Sequence, residues 1–173
     1  MPVLNFDEIA EKRKSIRAYK SDPIPAEALE AVLKAGITAP SARNLQNLKF
    51  IVVNDRSSAD ALVDACNGQK MVGEAPVFIA VCATENRIMA CGQPTAQIDA
   101  SIAMSFMILK AAELGLGSCW IGSFSQEKLA AILGVPEGVQ IVAVTPLGYP
   151  AEKGRERVRK PYDDIVCFGR FKD

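Results

Sequence analysis

Residues 97–114, QIDASIAMSFMILKAAEL, decide how this chain folds. At about 100° per residue, the charged Asp99, Lys110 and Glu113 fall on one narrow strip, and Ser101 and Ser105 lie on roughly the opposite side. A helix without a wide polar face belongs deep in a core or in an oligomer interface. We therefore predict a long helix over residues 97–114, buried either within its own subunit or in a dimer.

Apolar runs on both sides of this helix predict the sheet. Residues 77–81 and 139–147 are candidates for buried strands, and residues 50–53 for a third. Further helices are predicted from their first residues, which are Asn5, Pro25, Ser57 or Ser58, and Ser125. Because helices and strands are interspersed without a regular βαβ alternation, we expect an α+β fold, as one domain over residues 1–173.

The composition excludes several classes of function. The net charge is zero, which argues against binding of nucleic acid or membrane by bulk charge. The chain has no histidine, so Ser-His-Asp and Cys-His catalytic systems and His-based zinc sites are excluded, and we expect no metal. No signal peptide or apolar run of the ~18 residues that a membrane span requires is visible, and the five cysteines include no C-x-x-C pair. We therefore expect reduced thiols and a cytoplasmic location.

Half of the lysines and arginines lie near the two ends of the chain. Ten of the 20 are Lys12, Arg13, Lys14, Arg17, Lys20, Lys153, Arg155, Arg157, Arg159 and Lys160. If the ends meet, in one subunit or across a dimer, they form a site for a dianion, because guanidinium groups donate paired hydrogen bonds to phosphate. The alternative is that the first cluster complements the C-terminus of a helix and the second is a solvated tail.

Four short segments resemble, in order, motifs of the nitroreductase family. Residues 13–17, RKSIR, resemble R-[RHK]-S-x-R, and residues 39–46, APSARNLQ, resemble A-P-S-x-x-N-x-Q. Residues 115–122, GLGSCWIG, are similar to the segment that lies along the flavin ring, and residues 157–161, RVRKP, match a late [KR]-x-R-x-P. The four segments spread over almost the whole chain, and the resemblance therefore rests on their order as much as on any single motif.

The resemblance implies an intertwined homodimer with a central, mainly antiparallel sheet flanked by helices, and one FMN in each interface groove. The implied cofactor contacts are Arg13, Lys14, Ser15 and Arg17 at the phosphate and ribityl chain, Arg157 and Arg159 over the phosphate, Pro40, Ser41 and Asn44 from the partner subunit, the backbone of Trp120, Ile121 and Gly122 along the ring, and Asn67 and Lys70 as polar groups near the ring. No catalytic side chain is implied, because the flavin carries the redox chemistry.

The function that this resemblance implies is an FMN-dependent oxidoreductase. It would pass electrons from NAD(P)H through bound FMN to a nitroaromatic, a quinone or a flavin, by a ping-pong mechanism. A non-catalytic FMN sensor or carrier, or a specialised flavin enzyme of the dehalogenase type, would carry the same motifs. A basic-tailed nucleic-acid binder is the weakest alternative, since the chain has few aromatic residues for base stacking.

The chain departs from the family in two respects. Asn47 and Leu48 stand where the family has Pro-Trp, so an aromatic side chain near the groove is missing. The chain is also short for the family, without room for longer inserted helices, and we expect a more open groove over the flavin.

Overall fold

The computed structural model describes residues 5–171. Its helices are α1 (Phe6–Lys12), α2 (Ala26–Ile37), α3 (Ala59–Ala65), α4 (Met71–Glu74), α5 (Thr95–Glu113) and α6 (Gln126–Leu133), and its strands are β1 (Leu48–Val53), β2 (Val77–Ala83), β3 (Gly117–Ser118) and β4 (Gln140–Gly148). Single 3₁₀ turns occur at Ala42–Asn44, Arg56–Ser58 and Tyr162–Asp164. None of the described helices is long and apolar enough to cross a membrane.

The four strands form one sheet in the order β1-β2-β4-β3, and every neighbouring pair is antiparallel. All residues of β2 are buried, because helices cover both faces of this central strand. Val77, Ile79 and Val81 pack on the side of α2 and α5, whereas Phe78, Ala80 and Cys82 share a core with α3, α4 and α6. The predicted α+β class and antiparallel sheet are confirmed.

Local sequence signals account for the helix boundaries. Asn5 and Glu8 form a capping box at α1, with side-chain to backbone distances of 2.8 and 3.0 Å in the two directions. The Ser125 hydroxyl accepts the N–H of Lys128 at the start of α6. Helix α5 begins after Pro94, two residues earlier than predicted. The sequence did not predict α4, because four residues are too few to show a helical period.

Helix α5 is buried within its own subunit on one side and remains accessible on another. One side is buried against the sheet and α2 through Ala100, Ala103, Met104, Met107 and Ala111. On another side the Phe106 side chain is 39% exposed. Asp99 is buried, and its carboxylate accepts the N–H of Ala42 at 3.0 Å, whereas Lys110 and Glu113 pair with each other nearer the surface. The charged residues of the predicted polar strip therefore lie in two environments: Asp99 is buried and holds the loop at Ala42, and Lys110 and Glu113 form an ion pair nearer the surface.

The two ends of the chain meet at the β3 edge of the sheet. The Ile16 N–H donates to the Ser118 carbonyl at 2.9 Å, which extends the sheet by one short parallel contact. The Lys20 N–H then donates to Tyr149, and the Ala151 N–H donates to Ala18, both at 2.9 Å. The two basic clusters therefore come together within one chain, which meets the condition for a shared anion site.

Candidate cofactor site

Three arginines from the two ends of the chain converge, and none of them forms a salt bridge among residues 5–171. Burial lowers the pKa of Arg13, and the neighbouring charges of Arg157 and Arg159 lower this pKa further. The salt bridges within residues 5–171 are Lys34–Glu30, Arg87–Glu85, Lys110–Glu113 and Lys128–Asp64, so none of them involves this arginine cluster. Like charges held together in this way fit a dianionic ligand such as the phosphate of FMN.

Arg157 also has a structural role. Its guanidinium donates to the carbonyl oxygens of Ala10 and Glu11 at 2.8 and 2.7 Å, which satisfies the C-terminus of α1. The alternative interpretation of the basic clusters, that cations complement a helix C-terminus, is therefore realised by a residue from the opposite end of the chain. This cap holds Arg157 beside Arg13, because Arg13 directly follows α1.

The segment of residues 13–17 is extended, so its side chains alternate between two sides. Ser15 and Arg17 lie near the buried thiol of Cys119. Burial raises the pKa of this thiol, while Arg17 and the Ser15 hydroxyl act in the opposite direction. Lys14 and Ile16 instead lie against Gly154. Of the predicted phosphate-binding group, Arg13, Ser15 and Arg17 share the electrostatic environment of Cys119, whereas Lys14 packs on the other side.

Two groups near this segment were not singled out from the sequence. The Glu152 carboxylate accepts the N–H of Arg17 at 2.7 Å across 135 positions of sequence. The Cys119 N–H donates to the Thr145 hydroxyl at 3.2 Å, which ties the segment after β3 to β4. An acidic residue inside a basic run was the available signal for Glu152. The signal for Cys119 was its place within residues 115–122, which resemble the family's ring segment.

The predicted ring segment has exposed backbone at Trp120 and Gly122. Ile121 is buried and exchanges hydrogen bonds with Val144 of β4, at 2.9 and 3.1 Å. The N–H groups of Trp120, Gly122 and Ser123 find no acceptor within the described chain. A Cβ atom built at Gly122 would meet nothing within 4 Å, and the Trp120 side chain is 37% exposed rather than part of the core. The segment therefore offers free donors and open space beside them.

The structure brings Asn67 to this ring segment. Asn67 has a positive φ of 55°, and its Nδ2 donates to the Ser123 hydroxyl at 3.0 Å. Gln69, also not foreseen from the sequence, donates to the Ser123 carbonyl at 3.0 Å. The side chain of Lys70 is exposed and makes no hydrogen bond or salt bridge within residues 5–171. Asn67 is thus fixed beside the segment, and Lys70 stands next to it as an unpaired cation.

Pro40, Ser41 and Asn44 belong to a loop with a strained backbone. Arg43, Asn44 and Gln46 all have positive φ, at 53°, 56° and 54°. The loop is held by the Asp99 carboxylate and by the Ser41 hydroxyl, which accepts the Gln46 N–H at 3.1 Å. Backbone strain of this kind persists where the surroundings enforce it and clusters at functional sites.

This loop does not join the arginine cluster within one chain. No hydrogen bond or salt bridge of the described residues connects residues 39–46 with residues 13–17, 120–122 or 157–159. We therefore treat the predicted cofactor contacts as two groups: the arginine half-site, made of residues 13–17, 67–70, 120–122 and 157–159, and the loop half-site, made of residues 39–46.

Next to the loop half-site lies an apolar cavity of about 450 Å³, lined in part by Leu33, Ile37 and Phe50. Asn47, which replaces the family's proline, donates to the Glu85 carboxylate at 2.7 Å, and Glu85 pairs with Arg87 at 2.6 Å. A polar network therefore begins at Asn47, directly before Leu48, which is one of the residues that line the cavity.

Comparisons with known proteins identify the family and agree with the fold. The model of the nitroreductase family matches residues 10–70 and 59–149. A protein of Thermus thermophilus named NADH dehydrogenase is 34% identical over 97% of this chain and 98% of its own length. An FMN reductase [NAD(P)H] of Bacillus subtilis is 27% identical, with 88% of this chain and 68% of the relative aligned. The crystal structure of a nitroreductase family protein from Clostridium difficile superimposes with a TM-score of 0.86 at 29% identity, covering 97% of this chain and 100% of that protein.

Proposed function

Because this chain belongs to the nitroreductase family, we propose that it transfers electrons from NAD(P)H, through bound FMN, to a small acceptor. It is an FMN-dependent NAD(P)H oxidoreductase, as the names of its relatives indicate. The observation that carries the proposal for the site is the cluster of Arg13, Arg157 and Arg159, none of which forms a salt bridge in the part of the chain that the structure describes.

Each part of the arginine half-site has a task in this proposal. Arg13, Arg157 and Arg159 would neutralise the FMN phosphate, and Ser15 and Arg17 would bind the phosphate and ribityl chain. The free N–H groups of Trp120 and Gly122 would orient the ring. Asn67, fixed by Ser123, would donate to the ring, and Lys70 would supply positive charge near it. Lys14, on the other side of the segment, would act through its backbone or its long-range charge.

FMN held at the arginine half-site would supply the redox chemistry, which is hydride transfer from NAD(P)H and electron transfer to an acceptor. The chain has no histidine, so the protein contributes binding and orientation rather than a histidine acid or base. Donor and acceptor would enter the same groove in turn, in a ping-pong sequence, with the exposed face of Trp120 on its border. Nitroaromatics, quinones and flavins are the acceptor classes to test.

The same proposal includes a homodimer, and it is supported by the absence of any hydrogen bond or salt bridge between the loop half-site and the arginine half-site among residues 5–171. Pro40, Ser41 and Asn44 would complete the groove of the partner subunit. Helix α5 supports this arrangement, since Phe106 and Leu109 line an apolar groove of about 640 Å³ between α1, α2 and α5. An open apolar groove of this size is typical of an interaction surface.

The C-terminal segment also favours a partner subunit. Ile165, Phe168 and Phe171 are 66%, 77% and 88% exposed, so this apolar patch is not covered by its own chain. Packing of these side chains on a second copy would remove apolar surface from water, as the hydrophobic effect favours. We include this contact in the dimer that we propose.

We retain a cytoplasmic location as part of the proposal. Cys66, Cys82 and Cys119 are buried thiols, and Cys91 is an exposed thiol, rather than parts of disulfides. Thiols of this kind persist in a reducing compartment.

The visible absorption spectrum of the purified protein, recorded without oxygen before and after addition of NADH or NADPH, tests the proposed function. We expect a flavin spectrum that bleaches. A flavin spectrum that stays unbleached with both nucleotides would favour the sensor or carrier. A colourless protein that takes up no added FMN would contradict the function altogether.

A further inference from the structure

A carboxylate lies inside the cationic environment of the arginine half-site. Glu152 accepts the Arg17 N–H at 2.7 Å, and it borders a cavity of about 190 Å³ together with Arg13 and Lys14. Glu152 takes part in none of the salt bridges of the described residues. Its best-defined contact is therefore to the backbone of the phosphate-binding segment rather than to a side-chain cation.

The position of Glu152 completes a short antiparallel ladder. Lys20 and Tyr149, then Ala18 and Ala151, are joined by backbone hydrogen bonds of 2.9 Å. Beyond Ala151 the chain turns away through Gly154, whose φ is +67°. The Arg17 N–H is not at one of the hydrogen-bonded positions of this ladder, which alternate along the strand and fall on Ala18 and Lys20. The Glu152 side chain therefore supplies an acceptor that the ladder itself does not offer to Arg17.

The charge of Glu152 raises the pKa of two groups near Arg17, Tyr19 and Cys119. Burial is the main cause that raises the pKa of Tyr19, and the charge of Glu152 adds to this effect. The same two causes raise the pKa of Cys119, against the opposing influence of Arg17. Glu152, Arg17 and Cys119 therefore share one electrostatic neighbourhood.

We propose that Glu152 is a positioning residue for FMN: its carboxylate fixes the backbone at Arg17, so that Ser15 and Arg17 are held ready for the phosphate and ribityl chain. The inference rests on the proposed function, since it needs FMN at the arginine half-site. Glu152 thus acts on cofactor affinity through Arg17, without contacting the cofactor itself.

The two properties of the Glu152 side chain act in opposite directions on FMN. As a hydrogen-bond acceptor, Glu152 orders the binding segment and favours the cofactor. As an anion near the phosphate, it opposes the cofactor. A glutamine keeps the acceptor and removes the charge, whereas an alanine removes both. The two substitutions are therefore expected to change FMN affinity with opposite sign.

The test is the FMN dissociation constant of the apoprotein, from quenching of flavin fluorescence, for wild type, Glu152→Ala and Glu152→Gln. Glu156→Ala and Glu156→Gln are matched controls, because Glu156 is an exposed acid of the same segment with no hydrogen bond or salt bridge among those of residues 5–171. Hydrogen exchange of the Arg17 amide in the apoprotein reports the contact itself, independently of FMN.

We expect Glu152→Ala to bind FMN about fivefold to tenfold more weakly and to lose protection of the Arg17 amide, since a hydrogen bond to a charged group is lost at an exposed site. Glu152→Gln should keep the protection and bind at least as tightly as wild type, up to about twofold tighter. Both Glu156 variants should follow Glu152→Gln in affinity and leave the Arg17 amide unchanged.

Equal FMN affinities of Glu152→Ala and Glu156→Ala would overturn the inference and leave the proposed function standing. Weakening by Glu152→Gln to the level of Glu152→Ala would also overturn it, since the charge rather than the acceptor would then matter. A wild-type apoprotein that binds no FMN would overturn the proposed function and this inference with it.

Discussion

The arginine half-site and the loop half-site are built in different ways. In the first, contacts between distant parts of the sequence, such as Arg157 with Ala10 and Glu152 with Arg17, bring together groups from both ends of the chain. In the second, a short run of residues takes up positive φ values and is held by one buried carboxylate, Asp99. The first half-site depends on contacts between distant parts of one chain, whereas the second is shaped locally, and we propose that it completes the groove of a partner subunit.

This difference separates two contributions to FMN binding. The phosphate contacts should depend on the fold of a single chain, and the contacts of the loop half-site should depend on the dimer. Substitutions in α5 and in each half-site therefore test different parts of the proposed site. Their expected effects on stability and FMN affinity decrease from the core outward.

The largest effect is expected for Met104→Asp. Met104 is fully buried between the sheet and α2, so an unpaired charge there should destabilise the fold by about 4 kcal/mol or more. Both half-sites should be lost together. Thermal unfolding followed by circular dichroism measures this loss, and a variant with an unchanged melting temperature would show that α5 is not the core helix described here.

The next largest effect is expected for Phe106→Asp, two residues along the same helix. Phe106 is 39% exposed on the open face of α5, so the chain should stay folded while the proposed dimer dissociates. Loss of the partner's loop half-site should weaken FMN binding by about tenfold or more. Analytical ultracentrifugation together with FMN titration checks both parts, and a dimer of unchanged stability would remove this face from the interface.

Arg13→Ala should affect FMN and the apoprotein differently. FMN affinity should fall by about 10- to 100-fold, since a hydrogen bond between charged groups contributes ~1.5–3 kcal/mol. The apoprotein should keep or raise its melting temperature, because the alanine relieves the crowding of Arg13 by Arg157 and Arg159. Arg155→Ala, at an exposed arginine of the same basic tail, is the control and should change neither quantity. A parallel loss of affinity and of apoprotein stability would indicate a structural role for Arg13 instead.

The smallest effect is expected for Arg43→Gly in the loop half-site. A positive φ of 53° costs little for glycine, so this substitution should stabilise the chain by up to about 1 kcal/mol. Lys49→Gly, in strand β1, should destabilise it by a similar amount. Chemical denaturation of both variants measures the difference. Destabilisation by Arg43→Gly would mean that the loop is not strained at this residue.

Much of the fold could be predicted from the sequence, because its signals are local. The capping box at Asn5, the apolar run of β2 and the composition of α5 each act within a few residues, and each prediction is confirmed. Helix α4 is too short to leave a periodic signal. The two basic segments could also be located from the sequence, because the clustering of lysine and arginine near the two ends of the chain is visible without a structure.

The arrangement of the site depends on contacts that no local pattern encodes. Whether Ser15 or Lys14 lies beside Cys119 depends on which edge of the sheet the segment joins. The sequence indicated only that Asp99 belongs to a polar strip of α5. In the structure Asp99 is buried, and its carboxylate accepts the backbone N–H of Ala42 in the loop half-site. The contact between Glu152 and Arg17 spans 135 residues. Such contacts follow from the tertiary fold and not from spacing.

The central claim is that the two half-sites complete each other across a dimer, and mixing of two variants tests it most directly. Arg13→Ala disables the arginine half-site, and Asn44→Trp places a bulky ring at the loop half-site. A mixed dimer then has one groove with both changes and one groove with neither. After unfolding and refolding the two variants together at equal amounts, we predict that about a quarter of all grooves bind FMN with wild-type affinity, as random pairing of a two-fold dimer requires. A refolded mixture that binds FMN no better than the two separate variants would contradict the shared groove.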